Sequence, residues 1–159
     1  MYEVNNQMNF HTRKWVKPED LNPNGSLFGG RLLQWIDEEA AIYSMVQLQN
    51  QKIVTKLISE INFVSSAKQG EIIEMGIVAT HFGRTSLTMR CEVRNKMTKE
   101  TILSIDKIVF VNMGEDGKPA PHGKTEITYA YRWKLETTSI GCWYIRNCGS
   151  NQISFQSAP

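Results

Sequence analysis

The segment from Gly30 to about Asn50 cannot be an ordinary surface helix. Leu32, Leu33, Ile36, Ala40, Tyr43, Val46 and Gln47 recur at helical spacing, while Trp35, Ala41, Ile42 and Met45 make the other side apolar too. A helix apolar all round is expected to be buried on most of its surface. At about 1.5 Å per residue it spans roughly 30 Å, long enough to cross a whole small sheet. The remainder of the chain must therefore supply a wrapping for it.

Four strand-like patterns follow without another clear helix. Ile53 to Ser65 sets Leu57, Ile61 and Phe63 on one face, opposite Glu60 and Asn62. Glu71 to His81 groups Ile73, Met75, Ile77 and Ala79. Ser86 to Lys96 alternates most cleanly, with Leu87, Met89, Cys91 and Val93 inward. Thr101 to Val111 ends in Ile108-Val109-Phe110-Val111, a continuous apolar run typical of a central strand. A further strand is expected ahead of the helix, from Asn9 to Val16. The connectors between the later strands are short and polar, which makes neighbours antiparallel, because parallel crossovers need a dozen or more residues. Glu115-Asp116-Gly117-Lys118-Pro119 reads as a closing turn. The economical arrangement is α+β, one antiparallel sheet wrapped around a single long central helix. The expected domain runs over 1–124, with 125–159 as a C-terminal extension whose aromatic clusters show no sustained period and whose last residues, Ser150 to Pro159, read as a loose tail.

Charge narrows the function classes. Eighteen basic residues stand against sixteen acidic ones, a formal net charge of +2 with no basic run, so no nucleic-acid surface is expected. No segment approaches the roughly 20 apolar residues of a membrane span, and the N-terminus lacks the layout of a secretory leader. Cys91, Cys142 and Cys148 form no CxxC pair. Cys91 sits in the strand alternation as a small core residue; Cys142 and Cys148 could be bridged, but reduced thiols and a cytoplasmic location are expected. No His/Cys cluster has metal-ligand spacing, so no metal is expected.

The chemistry lies where the helix begins. Asn22-Pro23-Asn24-Gly25-Ser26-Leu27-Phe28 is a turn-rich loop that ends in Gly29-Gly30. A glycine pair at a helix start leaves backbone N–H groups unshielded, and such donors suit a carbonyl oxygen that becomes negative in a reaction. The bland alternative is a tight turn with close packing. Two turns on stands Asp37, which is either a solvated neighbour of Glu38 and Glu39 or, given its apolar flanks, a paired or functional carboxylate. Asp37 falls on nearly the same helix face as Gly30 but about 10 Å further along the axis. Donor and acid must both come within about 3 Å of one reacting group. One helix can hardly do that, so the pattern predicts two antiparallel copies sharing two equivalent sites in a two-fold dimer. His11, His81 and His122 are scattered and read as surface or turn residues. Gly83-Arg84-Thr85-Ser86 is either a plain hairpin turn or a guanidinium and two hydroxyls able to hold phosphate oxygens.

These residues in this order resemble the hotdog-fold acyl-CoA thioesterases, in the cytosolic acyl-coenzyme A hydrolase branch. The resemblance covers about Asn9 to Pro119 and is carried by the Asn22–Gly30 loop, Gln34-Trp35-Ile36-Asp37-Glu38-Glu39, Asn62-Phe63, Gly83-Arg84-Thr85-Ser86 and Asp116-Gly117-Lys118-Pro119. It implies a hotdog fold, and hydrolysis of acyl-CoA to free fatty acid and CoA without metal or redox cofactor. It also implies a homodimer, commonly assembled into a hexamer as a trimer of dimers. The Gly30 amide, helped by Gly29, would polarise the thioester carbonyl. Asp37 from the other subunit would act as general base or nucleophile, and Asn22 would position thioester or water. Arg84, Thr85 and Ser86 would lie near the CoA phosphates. Phe28 stands where many hotdog proteins carry His. The alternatives are a non-catalytic acyl-CoA-binding module on the same fold and, third, a hotdog dehydratase, which would want a His that the helix lacks.

Overall fold

The computed structural model describes residues 8–127 and the backbone of 135–137 and 143–145. The chain divides into two compact units, Met1–Thr128 and Tyr129–Pro159, where the sequence led us to expect a boundary after residue 124. In the first, β1 (Phe10–Trp15) leads through a loop with one 3-10 turn (Pro18–Asp20) into α1 (Gly29–Leu48). Then come β2 (Ile53–Ile58), β3 (Ile61–Phe63), β4 (Ile72–Phe82), β5 (Ser86–Asn95) and β6 (Thr101–Asn112). In the second unit, β7 (Leu135–Thr137) pairs antiparallel with β8 (Trp143–Ile145), a strand pair that no sequence period announced. Cys142, Cys148 and the tail from Ser150 lie outside the described residues.

The sheet has the order β1-β4-β5-β6-β2, with β3 also on β6, and all its pairings are antiparallel. β1 and β2, consecutive but for the helix, thus occupy opposite edges, and α1 carries the chain across the sheet between them. This is the antiparallel sheet against one long helix that the sequence predicts. The alternation in β4 and β5 holds: Ile73, Met75, Ile77 and Ala79 are buried with Leu87, Met89, Cys91 and Val93. They form one core with Leu32, Ile36 and Ala40 of α1 and Ile105, Ile108 and Phe110 of β6. Tyr43 pins the helix to β4: its Oη accepts the Ala79 N–H at 3.1 Å, next to a register shift, and burial pushes its phenol up although that hydrogen bond pulls the other way.

Two expectations fail. Within one chain the helix is buried along a single stripe, Leu32, Ile36, Ala40, Ser44 and Leu48, while Ile42 and Val46 are 49% and 41% exposed. The sheet of one chain covers only one side of the helix, so the rest of the apolar surface is left to something else. The segment Ile53 to Ser65 is two strands, β2 and β3, that pair with successive stretches of β6. The one-face set is nonetheless exposed at Leu57 and Phe63, because β2 and β3 border β6 at the open edge of the sheet.

A buried carboxylate ties the sheet's outer face. Glu74 on β4 is fully buried, with Arg94 Nε and Lys99 Nζ 2.8 and 3.0 Å from Oε1 and Lys96 Nζ 2.6 Å from Oε2. Arg94 in turn lies over the Phe10 ring, 3.5 Å from its centroid. Burial alone would raise the Glu74 carboxyl, but Lys96, Lys99 and Arg94 together hold it down to about 2, against an ordinary 4.5. A carboxyl lowered on folding adds stability that is complete above its unfolded value and is lost as pH falls toward the folded one. Glu74→Gln should therefore cost about 1–3 kcal/mol in urea unfolding at pH 7, less than for a fully buried pair because the cations are partly exposed. The gap between wild type and variant should narrow as pH drops from 4.5 toward 2. An equal gap at pH 7 and pH 3 would rule out the ion pairs as its source.

Candidate active site

The loop between β1 and α1 is built from its own backbone. Asn22 Oδ1 accepts the N–H groups of Asn24 and Ser26 at 2.9 and 3.2 Å, and its Nδ2 donates to Ser26 Oγ at 3.1 Å. Asn22 N–H donates to Ser26 C=O at 2.8 Å, closing the turn, and Gly25 takes φ +76°, which glycine adopts without strain. Leu27 N–H bonds Ala67 C=O and Phe28 N–H bonds Asp20 C=O, both at 2.8 Å. The chain is thereby delivered into the first turn of α1 in one position.

Phe28 is the N-cap and offers no side-chain acceptor. The first hydrogen bond of the helix runs from Leu32 N–H to Phe28 C=O at 3.1 Å, so the amides of Gly29 and Gly30 have no carbonyl of the helix to bond. Both glycines also sit close against aromatic rings that a side chain there would have to push aside. A Cβ on Gly29 would meet Phe63 Cζ at 3.2 Å, and one on Gly30 would meet Phe28 Cε1 at 2.6 Å. The tight-packing reading and the donor reading are thus compatible at the same two residues. Gly30 also opens on a cleft of about 380 Å³ that Leu21, Phe28, Arg31 and Gln34 help to line.

Asp37 lies two turns along α1, half-buried, and Thr55 Oγ1–H donates to its Oδ1 at 2.8 Å. Thr55 is a residue that sequence reasoning missed. Its only signal was a hydroxyl in the exposed run of β2, and the 18-residue separation hid the contact. Asp37 and Gly30 lie seven residues apart on one continuous helix, as the spacing arithmetic supposed.

Arg84, Thr85 and Ser86 form the β4–β5 hairpin turn, with Gly83 N–H bonding Ser86 C=O at 2.8 Å. The turn is fastened to the end of β6 and the segment after it: Asn112 N–H donates to Thr85 C=O at 2.8 Å, and His122 N–H to Arg84 C=O at 3.3 Å. His122 is therefore a half-buried anchor, its Nε2 also 3.3 Å from Ser86 C=O, and not simply a surface residue. Cys91 is no nucleophile. Burial, and then the charges of Glu39 and Glu92, push its thiol up to about 12. Among the described residues no three His, Cys, Asp or Glu side chains converge to hold a metal, and no helix is long and apolar enough to cross a membrane.

Comparison with known proteins agrees with this layout. The model of the thioesterase superfamily matches residues 24–102, from the loop through α1 to the start of β6. The chain is 28% identical to the uncharacterized acyl-CoA thioester hydrolase YkhA of Bacillus subtilis, over 67% of this chain and 63% of that one. It spans less than two thirds of the first curated relatives it matches, 56% and 63% of their lengths. Among solved structures, an apo-hexameric acyl-CoA thioesterase is 35% identical, with a TM-score of 0.64, over 76% of this chain and 78% of that one. The acyl-CoA hydrolase of Staphylococcus aureus, solved in complex with butyryl coenzyme A, is 27% identical with a TM-score of 0.64, over 69% and 66% of the two chains. On the 35% identity over most of both chains and the superfamily model's match, the chain belongs to the hotdog-fold acyl-CoA thioesterase family of the thioesterase superfamily.

Proposed function

We propose that this protein hydrolyses the thioester of acyl-CoA to a free fatty acid and CoA, at two sites shared across a homodimer. The observation that carries the reading is the pairing of two free amides at Gly29-Gly30 with a hydrogen-bonded carboxylate two turns further along the same helix. The names of the relatives point to the same substrate class. The Gly30 N–H, helped by that of Gly29, donates to the thioester carbonyl oxygen and stabilises its negative charge as the carbonyl carbon becomes tetrahedral. Asp37 of the partner subunit serves either as base, taking a proton from the attacking water, or as nucleophile. The C–S bond then breaks and the CoA thiolate leaves, taking up the proton released by water; on the nucleophilic route water hydrolyses the acyl–Asp37 anhydride to the fatty acid and regenerates the carboxylate. Thr55 holds that carboxylate in one rotamer. Asn22 keeps a second amide hydrogen beyond its bond to Ser26, free to orient the thioester or the water. Arg84, Thr85 and Ser86 are assigned to the CoA phosphates as hydrogen-bond donors on a fixed turn. Water is the only co-reactant, so no metal or redox cofactor is called for, and the reading puts the enzyme in the cytoplasm.

Exposed apolar residues support the pairing. Ile42 and Val46 on α1 and Val54 and Leu57 on the open edge of β2 are what a second copy would cover. Three such dimers would make the hexamer, the state in which the 35%-identical thioesterase is described.

Asp37→Asn should lower turnover by about 10²–10⁴-fold in a free-thiol release assay while the dimer persists, because the amide keeps the Thr55 contact and loses the proton acceptor. Near-normal release would remove Asp37 from the mechanism; no release by wild type across an acyl-chain-length panel would favour an acyl-CoA-binding module. Thr55→Val, which keeps shape and deletes the hydrogen bond, should lower kcat by about tenfold or less. Sharing is tested by mixing Asp37→Asn with Gly30→Pro subunits, since proline removes the amide yet suits a first helical turn. Mixed dimers should regain one working site, and failure to recover any activity would argue against sharing. Exhaustive chelation should leave the rate unchanged.

A further inference from the structure

One carboxylate beside the diglycine has no part in the chemistry above. Asp20 closes the 3-10 turn before the loop and is only 6% exposed. Its acceptors are all engaged. Oδ2 accepts the Lys17 N–H at 3.0 Å, Oδ1 lies 3.3 Å from Arg31 Nε, and the backbone C=O accepts the Phe28 N–H at 2.8 Å. Phe28 immediately precedes Gly29, and Arg31 immediately follows Gly30. One residue therefore grips the diglycine from both flanks, by main chain on one side and by side chain on the other. Arg31 is steadied in turn by Gln34, whose Oε1 accepts its Nη1–H at 3.1 Å.

Two adjacent glycines have no side chains to restrict their backbone torsions, so the aim of their amides is set by whatever holds their neighbours. Oxyanion donors act only when their hydrogens point at the oxygen, and a misplacement of about 1 Å can cost about 10²-fold in rate. We infer that Asp20 is a positioning residue for the Gly29–Gly30 donors, acting through its ion pair with Arg31. The inference rests on the thioesterase reading for its kinetic consequence, but not for its structural one.

Asp20→Asn isolates the ion pair, because the amide oxygen can still accept the Lys17 N–H and the backbone bond to Phe28 is untouched. In thiol release with an acyl-CoA substrate, Asp20→Asn and Arg31→Gln should each lower kcat by about tenfold with KM nearly unchanged. The double variant should be no worse than either single one, and Arg31→Lys should recover part of the loss. In amide-resolved NMR, the Gly29 and Gly30 signals should shift and broaden in Asp20→Asn while amides in the last turn of α1 stay put. Unchanged kcat with a lowered melting temperature alone, or additive losses in the double variant, would make Asp20 a mere loop anchor and overturn the inference. If wild type releases no thiol at all, it is the proposed activity that fails. The glycine amide signals then decide the positioning role, and unmoved signals reject it.

Discussion

The stripe Leu32, Ile36, Ala40, Ser44 and Leu48 on α1 is the contact on which everything else in the first unit depends. Each large aliphatic residue in it contributes roughly 1.5–3 kcal/mol by leaving water. Its small members matter as much, because alanine and serine at mid-helix let α1 lie close against the sheet. Ser44 is near enough for its hydroxyl to meet Met89 Sδ at 3.5 Å. With that stripe committed to the sheet, the rotation of the helix about its axis is set. The rotation in turn decides that Asp37 faces β2, where Thr55 meets it, and that Ile42 and Val46 face away from the sheet.

Both ends of the helix are then secured by polar groups that have no apolar alternative. At the start, the Asp20 carbonyl receives Phe28 N–H. At the end, Gln49 takes a left-handed φ of 53°, and Asn50 Nδ2 bonds Asn112 Oδ1 at 2.7 Å and Met113 C=O at 3.0 Å. Asn112 is itself buried and donates to Ala120 C=O at 2.8 Å. The same region of β6 holds the Arg84–Ser86 turn through Thr85, so the helix end and the turn share one anchor.

This division explains what could be read from the residues and what could not. β4 and β5 were legible because they are central, and a central strand facing a helix must alternate or be apolar throughout. The break between β2 and β3 was not. Both strands pair with the one strand β6, so the break depends on that partner's register and not on any period within the segment. Gly29, Gly30 and Asp37 were legible as a candidate site because backbone access and a carboxylate flanked by apolar residues are local properties. Asp20, Thr55 and Glu74 were not, for they gain meaning from residues 11, 18 and at least 20 positions away, brought near by a turn or a strand register. Glu74 did leave one trace, a charge in the otherwise apolar run Ile72-Ile73-Glu74-Met75-Gly76-Ile77.

The exposed half of α1 gives the proposed pairing its physical sense. In a single chain the bond between Thr55 and Asp37 is open to water, and the Gly30 amide opens on a cleft. Water competes for both, and in a high dielectric a donor aimed at a developing charge does little. A second subunit laid over Ile42, Val46 and the β2 edge would remove that water at the same moment as it brings the missing half of each site. Burial of the apolar helix face and assembly of the reaction centre would then be one event. An unpaired subunit would carry the separated groups without the dry setting in which they can act.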